Sequence, residues 1–150
     1  MIFDSPAADE YPLIFDSWAR SFKKSPWAGC VPNHLWDMVS RAAASDILNR
    51  GARVIVAATP IEGADDYARR VMGYSVSEPG VLHWLFVKRD YRDMGVGRAL
   101  LDETTRDWPK DSVYDAGHPT YKYTHRTRAS SGFLKGSGWQ WDPVLARVKA

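Results

Sequence analysis

A chain of 150 residues, 45% hydrophobic and 25% charged, lies in the globular range and is long enough for one domain with a real core, which excludes a disordered polymer. A formal net charge of +2 is too small to name a polyanion partner, and no stretch approaches the roughly 18 apolar residues of a membrane span, so no membrane partner is expected. The single cysteine, Cys30, excludes an intramolecular disulfide and fits a reducing compartment; Met1 begins no basic, apolar leader, so the expected location is the cytoplasm.

In chain order, residues 9–23 carry Glu10, Leu13, Ile14, Trp18, Ala19 and Phe22 at spacings of three and four, which predicts a helix. Lys23-Lys24-Ser25-Pro26 ends it, because proline disfavours helix in the residue before it. A second helix is expected from about 32 to 49. Its expected inner face is Leu35, Met38, Val39, Ala42 and Ile47, with Gly51 as its C-terminal cap. The texture then changes to short β-branched runs between turn residues. They predict strands over 53–59, 69–76 and 81–88, joined by a polar turn with Gly63 and by Glu78-Pro79-Gly80, as an antiparallel meander. A helix over 95–107 buries Val96, Leu100, Leu101, Thr104 and Trp108 and stops at Pro109. A strand at 112–116, a helix over 123–135 and a strand within 139–148, with Pro143 at an edge, complete the expectation. No repeat or low-complexity linker divides the chain, so one domain spans residues 1–150. The fold class is mixed α/β (α+β), a mainly antiparallel central sheet flanked by helices.

The most informative stretch is the strand His83-Trp84-Leu85-Phe86-Val87 running through Tyr91 into Arg92-Asp93-Met94-Gly95-Val96-Gly97-Arg98 at a helix start. Amides at such a start are unpaired and converge, and the helix dipole adds positive character, so the turn suits phosphate. Gly95 and Gly97 lack β-carbons, which lets a diphosphate approach the backbone. The P-loop is excluded, because Gly97 is followed by Arg98-Ala99 rather than Lys-Ser/Thr. The dinucleotide fingerprint is excluded too, because position 100 is Leu and the preceding strands lack βαβ alternation.

Arg92-x-x-Gly95-x-Gly97 after a strand resembles the GNAT (GCN5-related N-acetyltransferase) signature, Arg/Gln-x-x-Gly-x-Gly/Ala, at every specified position. The element order agrees with that fold over nearly the whole chain. The resemblance implies an acyl-CoA-dependent N-acyltransferase using acetyl-CoA or another acyl-CoA. It implies that the pyrophosphate lies on the amides of Met94 to Arg98, Val96 included, with Arg92 and Asp93 beside them and Thr127 also holding the cofactor. The pantetheine arm would run along the splayed strand end at Leu85, Phe86 and Val87.

Amine acylation needs a base for the ammonium and an acid for the departing thiolate. His83 is the candidate base: the serotonin N-acetyltransferase branch has a similar strand with histidine at the equivalent place. Its alternative is a partly buried structural histidine. The usual family ending, Asn-x-x-Ala-x-x-aromatic-Tyr-x-x-x-Gly-Phe, puts Thr127 on the Asn, Ser130 on the Ala, Phe133 on the aromatic residue and Leu134 on the acidic Tyr. Leucine cannot donate a proton. Tyr123 is the candidate substitute, with Tyr121 or Ser131 as others; water, or loss of catalysis in favour of a binding module, are the remaining readings.

The acceptor is expected to be a small-molecule or protein amine. Trp18, Phe22, Trp27, His34 and Trp36, with Asp4, Asp9, Glu10 and Asp16, suggest an aromatic, acidic wall for it. From residue 118 onward six Lys or Arg face one acid, Asp142, which fits either a phosphate-rich ligand or a solvated basic face. Tyr121, Tyr123, Trp139 and Trp141 lie among these cations and leave a nucleic-acid base as an alternative acceptor. His118 and His125, seven apart with Pro119 between, do not make a metal site, and no metal is expected. A monomer or a homodimer is expected.

Overall fold

The structure, a computed structural model, describes residues 1–25, 29, 31–65, 68–109, 121–134 and 136–147. The expected strand at 112–116, and with it Trp27, Cys30 and His118, lies outside the described residues.

Among the described residues six strands form one sheet in sequence order: β1 (Ile2–Asp4), β2 (Arg53–Pro60), β3 (Arg69–Glu78), β4 (Val81–Val87), β5 (Lys122–Tyr123) and β6 (Gln140–Trp141). The first four pair antiparallel; β4 with β5 and β5 with β6 pair parallel. The β2–β3–β4 meander is the expected one. Pro79 and Gly80 make its second turn, with Gly80 at φ +78°, a conformation glycine adopts without steric cost. Strand β1 has no counterpart among the expected elements, since three residues are too few for alternation to show. Its place is secured by Arg69, which binds Asp4 (3.0 Å), Glu10 (2.8 Å) and the Ser5 carbonyl (2.8 Å).

Alternation along β2 sorts the core into two layers. Val54, Val56 and Ala58 join Ile14 and Trp18 of α1 (Tyr11–Lys23) and Ala44 and Ile47 of α2 (Trp36–Asn49) on one face. Ile55 and Ala57 meet Val96 and Leu100 of α3 (Val96–Thr105) on the other. Helix α2 differs from expectation. A 3-10 turn at Asn33–Leu35 precedes it, and its buried residues are Trp36, Ala44 and Ile47, while Leu35, Met38 and Val39 are exposed. Trp36 decides the rotation of the helix, because its large ring packs on Phe22 and its Nε1 donates to the Ala19 carbonyl (2.9 Å). Gly51 caps the helix as expected at φ +95°, with its amide on Leu48 O and that of Ala52 on Ile47 O.

The C-terminal elements are shorter than expected. Residues 122–123 are strand, and only Arg128–Phe133 is helix (α4), with Thr127 as its N-cap accepting from the Ser130 amide (3.0 Å). The expected last strand is the two residues of β6, after which Pro143–Ala146 form a 3-10 turn capped by Asp142. Among the described residues no helix is long and apolar enough to cross a membrane.

Candidate functional site

The turn between β4 and α3 has the backbone of an anion cradle. Asp93 (φ 63°) and Gly95 (φ 78°) are left-handed, which reverses the chain so that α3 begins at Val96. The amides of Val96, Gly97 and Arg98 are the first three of the helix and have no intrahelical acceptor; the first bond is Ala99 N to Gly95 O (3.0 Å). With the helix dipole behind them they attract an anion. A β-carbon at Gly97 would lie 3.6 Å from Val87 Cγ2 and 3.8 Å from Leu85 Cδ2, so this residue looks directly onto the end of β4.

That end of β4 is open. Among the described residues, parallel pairing with β5 covers only Val81–Lys122 and Leu82–Tyr123, and from His83 onward β4 is paired with β3 alone. A bulge contributes: Ser77 faces Leu82 but Val76 faces Trp84, so His83 is the extra residue. Beyond it Phe86 shares its backbone bonds with Tyr74, and Leu85 and Val87 turn theirs to the open side, where Val87 O accepts from Arg92 Nε (3.2 Å). The helix packs tightly here because Gly73 leaves room; a β-carbon there would collide with the Phe86 carbonyl and come within 3.2 Å of Leu100 Cδ1.

Cradle and open edge share one cavity of about 750 Å³. Of the residues expected to hold a cofactor, all but Met94 line it, including Thr127 at its far side; Met94 is 66% exposed outside it. Its cations are Lys24, Arg92, Arg98 and Arg128, with the Arg98 guanidinium 5.2 Å from the centre of the Phe133 ring.

The fold is a mixed, mainly antiparallel sheet flanked by helices.

His83 borders the cavity only through its backbone, because its imidazole has no exposed surface. Its Nε2 lies 2.8 Å from Glu78 Oε2 and its Nδ1 3.1 Å from Thr124 Oγ1. Burial pushes its pKa down, only partly opposed by the Glu78 carboxylate. Burial also works against ionised Glu78, but the bonds to His83 and Arg50 outweigh it and hold its pKa below the usual range. His125 does line the cavity. Its ring sits among Phe22 (4.8 Å between centres), Trp18 (5.2 Å) and Trp84 (5.8 Å), and burial, with His83 close by, pushes its pKa down to about 3.

Tyr123 sits on β5 rather than on the expected helix, because its side chain fills the cluster of Leu82, Leu101, Trp108 and Leu134. It lines the cavity, and its hydroxyl has no hydrogen-bond partner among the described residues. Leu134 is buried in the same cluster. The expected acidic wall is not assembled. Asp4 and Glu10 are bound to Arg69 and Asp16 to Arg41, Trp18 and Trp36 are core, and from α1's end Ser21, Lys24 and Ser25 line the cavity instead. Likewise Lys122, counted among the basic residues, is paired with Asp142 (3.1 Å).

Sequence reasoning passed over Glu78, Arg50 and Thr124, and treated His125 only as a metal ligand. Glu78 ends β3 and His83 is the third residue of β4, but their contact depends on the bulge, which no spacing announces. Among the described residues no group of three His, Cys, Asp or Glu could hold a metal.

No family model matches the chain, and no curated protein sequence does. Among solved structures, the chain is similar to apo-form YjaB from Escherichia coli at 19% identity and a TM-score of 0.45, over 73% of this chain and 69% of that one. It is also similar to a protein from Rhodopseudomonas palustris described as a GCN5-related N-acetyltransferase: Aminotransferase, Class-II. That match has 18% identity and a TM-score of 0.38, over 69% of this chain and 65%, just under two thirds, of that one. The functional reading therefore rests on the site.

Proposed function

We propose that this chain is an acyl-CoA-dependent N-acyltransferase that moves an acetyl or similar acyl group directly to a primary amine in the cytoplasm. The observation that carries the reading is the junction of unpaired amides at Val96, Gly97 and Arg98 with the open edge of β4 in one cavity. The diphosphate of acetyl-CoA would take the amides, with Arg92 and Arg98 beside it. The pantetheine arm would take the main-chain groups of Leu85 and Val87, as an added strand would. The acyl group would then lie toward Tyr123 and His125, which line the same cavity.

In the chemical step the deprotonated amine attacks the thioester carbonyl, the C–N bond forms, the C–S bond breaks to release CoA thiolate, and the second proton lost by nitrogen replaces the one the acid gives to that thiolate. Tyr123 is the proposed acid for that thiolate; its unpartnered hydroxyl supports the role. His83, held by Glu78, is the proposed final holder of the amine's proton. Buried Leu134 at the usual tyrosine position favours a second reading, a module that binds the cofactor without turnover.

The test is calorimetric titration of acetyl-CoA into the wild type and Gly97→Asp. The backbone at Gly97 tolerates a β-carbon, so the variant should fold and place a carboxylate where the diphosphate must lie. Micromolar binding lost in Gly97→Asp supports the site. Equal binding by both proteins, or none by the wild type, sinks it. Turnover across a panel of amines separates the enzyme from the binding module.

A further inference from the structure

Arg50, Glu78, His83, Thr124 and His125 form one hydrogen-bonded chain from the buried end of α2 to the cavity. Arg50 Nη2 lies 2.9 Å from Glu78 Oε2, and Arg50 is itself anchored to the carbonyls of Leu145 and Ala146. Glu78 Oε2 is 2.8 Å from His83 Nε2, His83 Nδ1 is 3.1 Å from Thr124 Oγ1, and Thr124 Oγ1 is 2.8 Å from His125 Nδ1.

The inner end fixes the direction of these bonds. A carboxylate only accepts and lies 2.8 Å from His83 Nε2, against 3.4 Å for the donor Arg50 Nη2, so Nε2 carries its hydrogen toward Glu78. A neutral imidazole has one N–H, so His83 Nδ1 is bare and accepts from the Thr124 hydroxyl. Thr124 Oγ1 has then spent its hydrogen and accepts from His125 Nδ1–H. By this wiring Nε2 of His125 carries no hydrogen; His125 lines the cavity, and its ring also meets the His83 backbone.

Resting on the acyltransferase reading, we infer that His125 takes the proton of the acceptor amine and that Thr124 relays it to the His83–Glu78 pair. The ammonium N–H breaks as His125 Nε2–H forms. The His125 Nδ1 proton passes to Thr124 Oγ1, and the Thr124 hydroxyl proton passes to His83 Nδ1. The charge ends on a His83 imidazolium against the Glu78 carboxylate, and the reverse sequence returns the proton to water after product leaves. No electron changes hands and no other reactant is needed. His125 is a poor base alone, but it gains one proton as it gives up another and never has to store the charge. The charged or titratable groups facing the relay are Glu78 from β3, Arg50 from the end of α2 and the two histidines themselves. Helix α1 contributes Trp18 and Phe22, and β4 contributes Trp84; Lys24 lines the same cavity farther along α1.

Thr124→Val keeps the shape and removes the hydroxyl, and Thr124→Ser restores it. In the full chain, with acetyl-CoA and an accepted amine, Thr124→Val should lose about 10²-fold in kcat, the low end of general-base catalysis. Its acidic pH limb should move, its acetyl-CoA affinity should stay, and Thr124→Ser should recover most of the rate. Wild-type kcat and pH profile in Thr124→Val overturn the relay and leave the acyltransferase standing. Absence of acetyl-CoA binding by the wild type overturns both. Nitrogen-15 spectra of the wild-type imidazoles decide the wiring without turnover: His125 protonated at Nδ1 and His83 at Nε2 support it, and the opposite tautomer on either overturns it.

Discussion

Arg50 and Glu78 meet at 2.9 Å with little of either side chain exposed, which ties the end of α2 to the last residue of β3. Removing one partner leaves a buried charge unpaired. Glu78→Ala should therefore destabilise the protein by about 3 kcal/mol, read as a shift of the urea midpoint at unchanged slope. Glu78→Gln, which keeps an acceptor, should cost less.

Stability should fall on mild acidification. His125 has an ordinary pKa of 6.5 when unfolded and about 3 when folded, so between these values the unfolded chain binds the extra proton. Its neutral form contributes fully above about pH 6.5, and that contribution drains away as pH drops toward 3. His83, lowered by the same burial, acts in the same direction. Melting temperatures measured from pH 8 to 5 should decline before most carboxylates titrate, and His125→Phe should flatten the decline.

Two glycines should respond oppositely to alanine. At Gly73 the new methyl meets the Phe86 carbonyl and Leu100, and the loss should be about 1–3 kcal/mol by denaturant unfolding. At Gly132, within α4, the methyl meets nothing within 4 Å and the backbone is ordinary. Gly132→Ala should gain about 0.5–1 kcal/mol.

Tyr123→Phe keeps the ring in its apolar cluster and removes only the hydroxyl. If that hydroxyl protonates the thiolate, kcat should drop at least tenfold while acetyl-CoA affinity holds, and the alkaline limb of the rate profile should change. An unaltered kcat would assign the proton to water.

What could be read in the chain was what is local. The β2–β4 runs, the helix over 95–107 and the Arg92-x-x-Gly95-x-Gly97 turn depend on neighbours in sequence, and they stand where expected. The errors have physical causes. Leu35, Met38 and Val39 formed a convincing stripe, but one tryptophan with a hydrogen bond to make outweighed three smaller side chains and turned α2 away from them. Tyr123 looked helical by spacing, yet two backbone bonds, Lys122 N to Gly80 O in the turn before β4 and Thr124 N to Leu82 O in β4, drew the segment into the sheet. Glu78 looked like a turn residue until the bulge delivered His83 beside it. Distant pairings such as Arg69 with Asp4 and Glu10 consumed acids that composition had left free.

The two-residue contact between β4 and β5 gives the sheet a seam. On one side four long or well-anchored strands share a continuous ladder; on the other, two short strands hang from Val81 and Leu82. A molecule lying in the gap would touch both sides and act as a rivet. Deuterium uptake at β5, α4 and β6 should then slow far more than at β2 and β3 when the gap is filled, because the inner ladder has little left to gain.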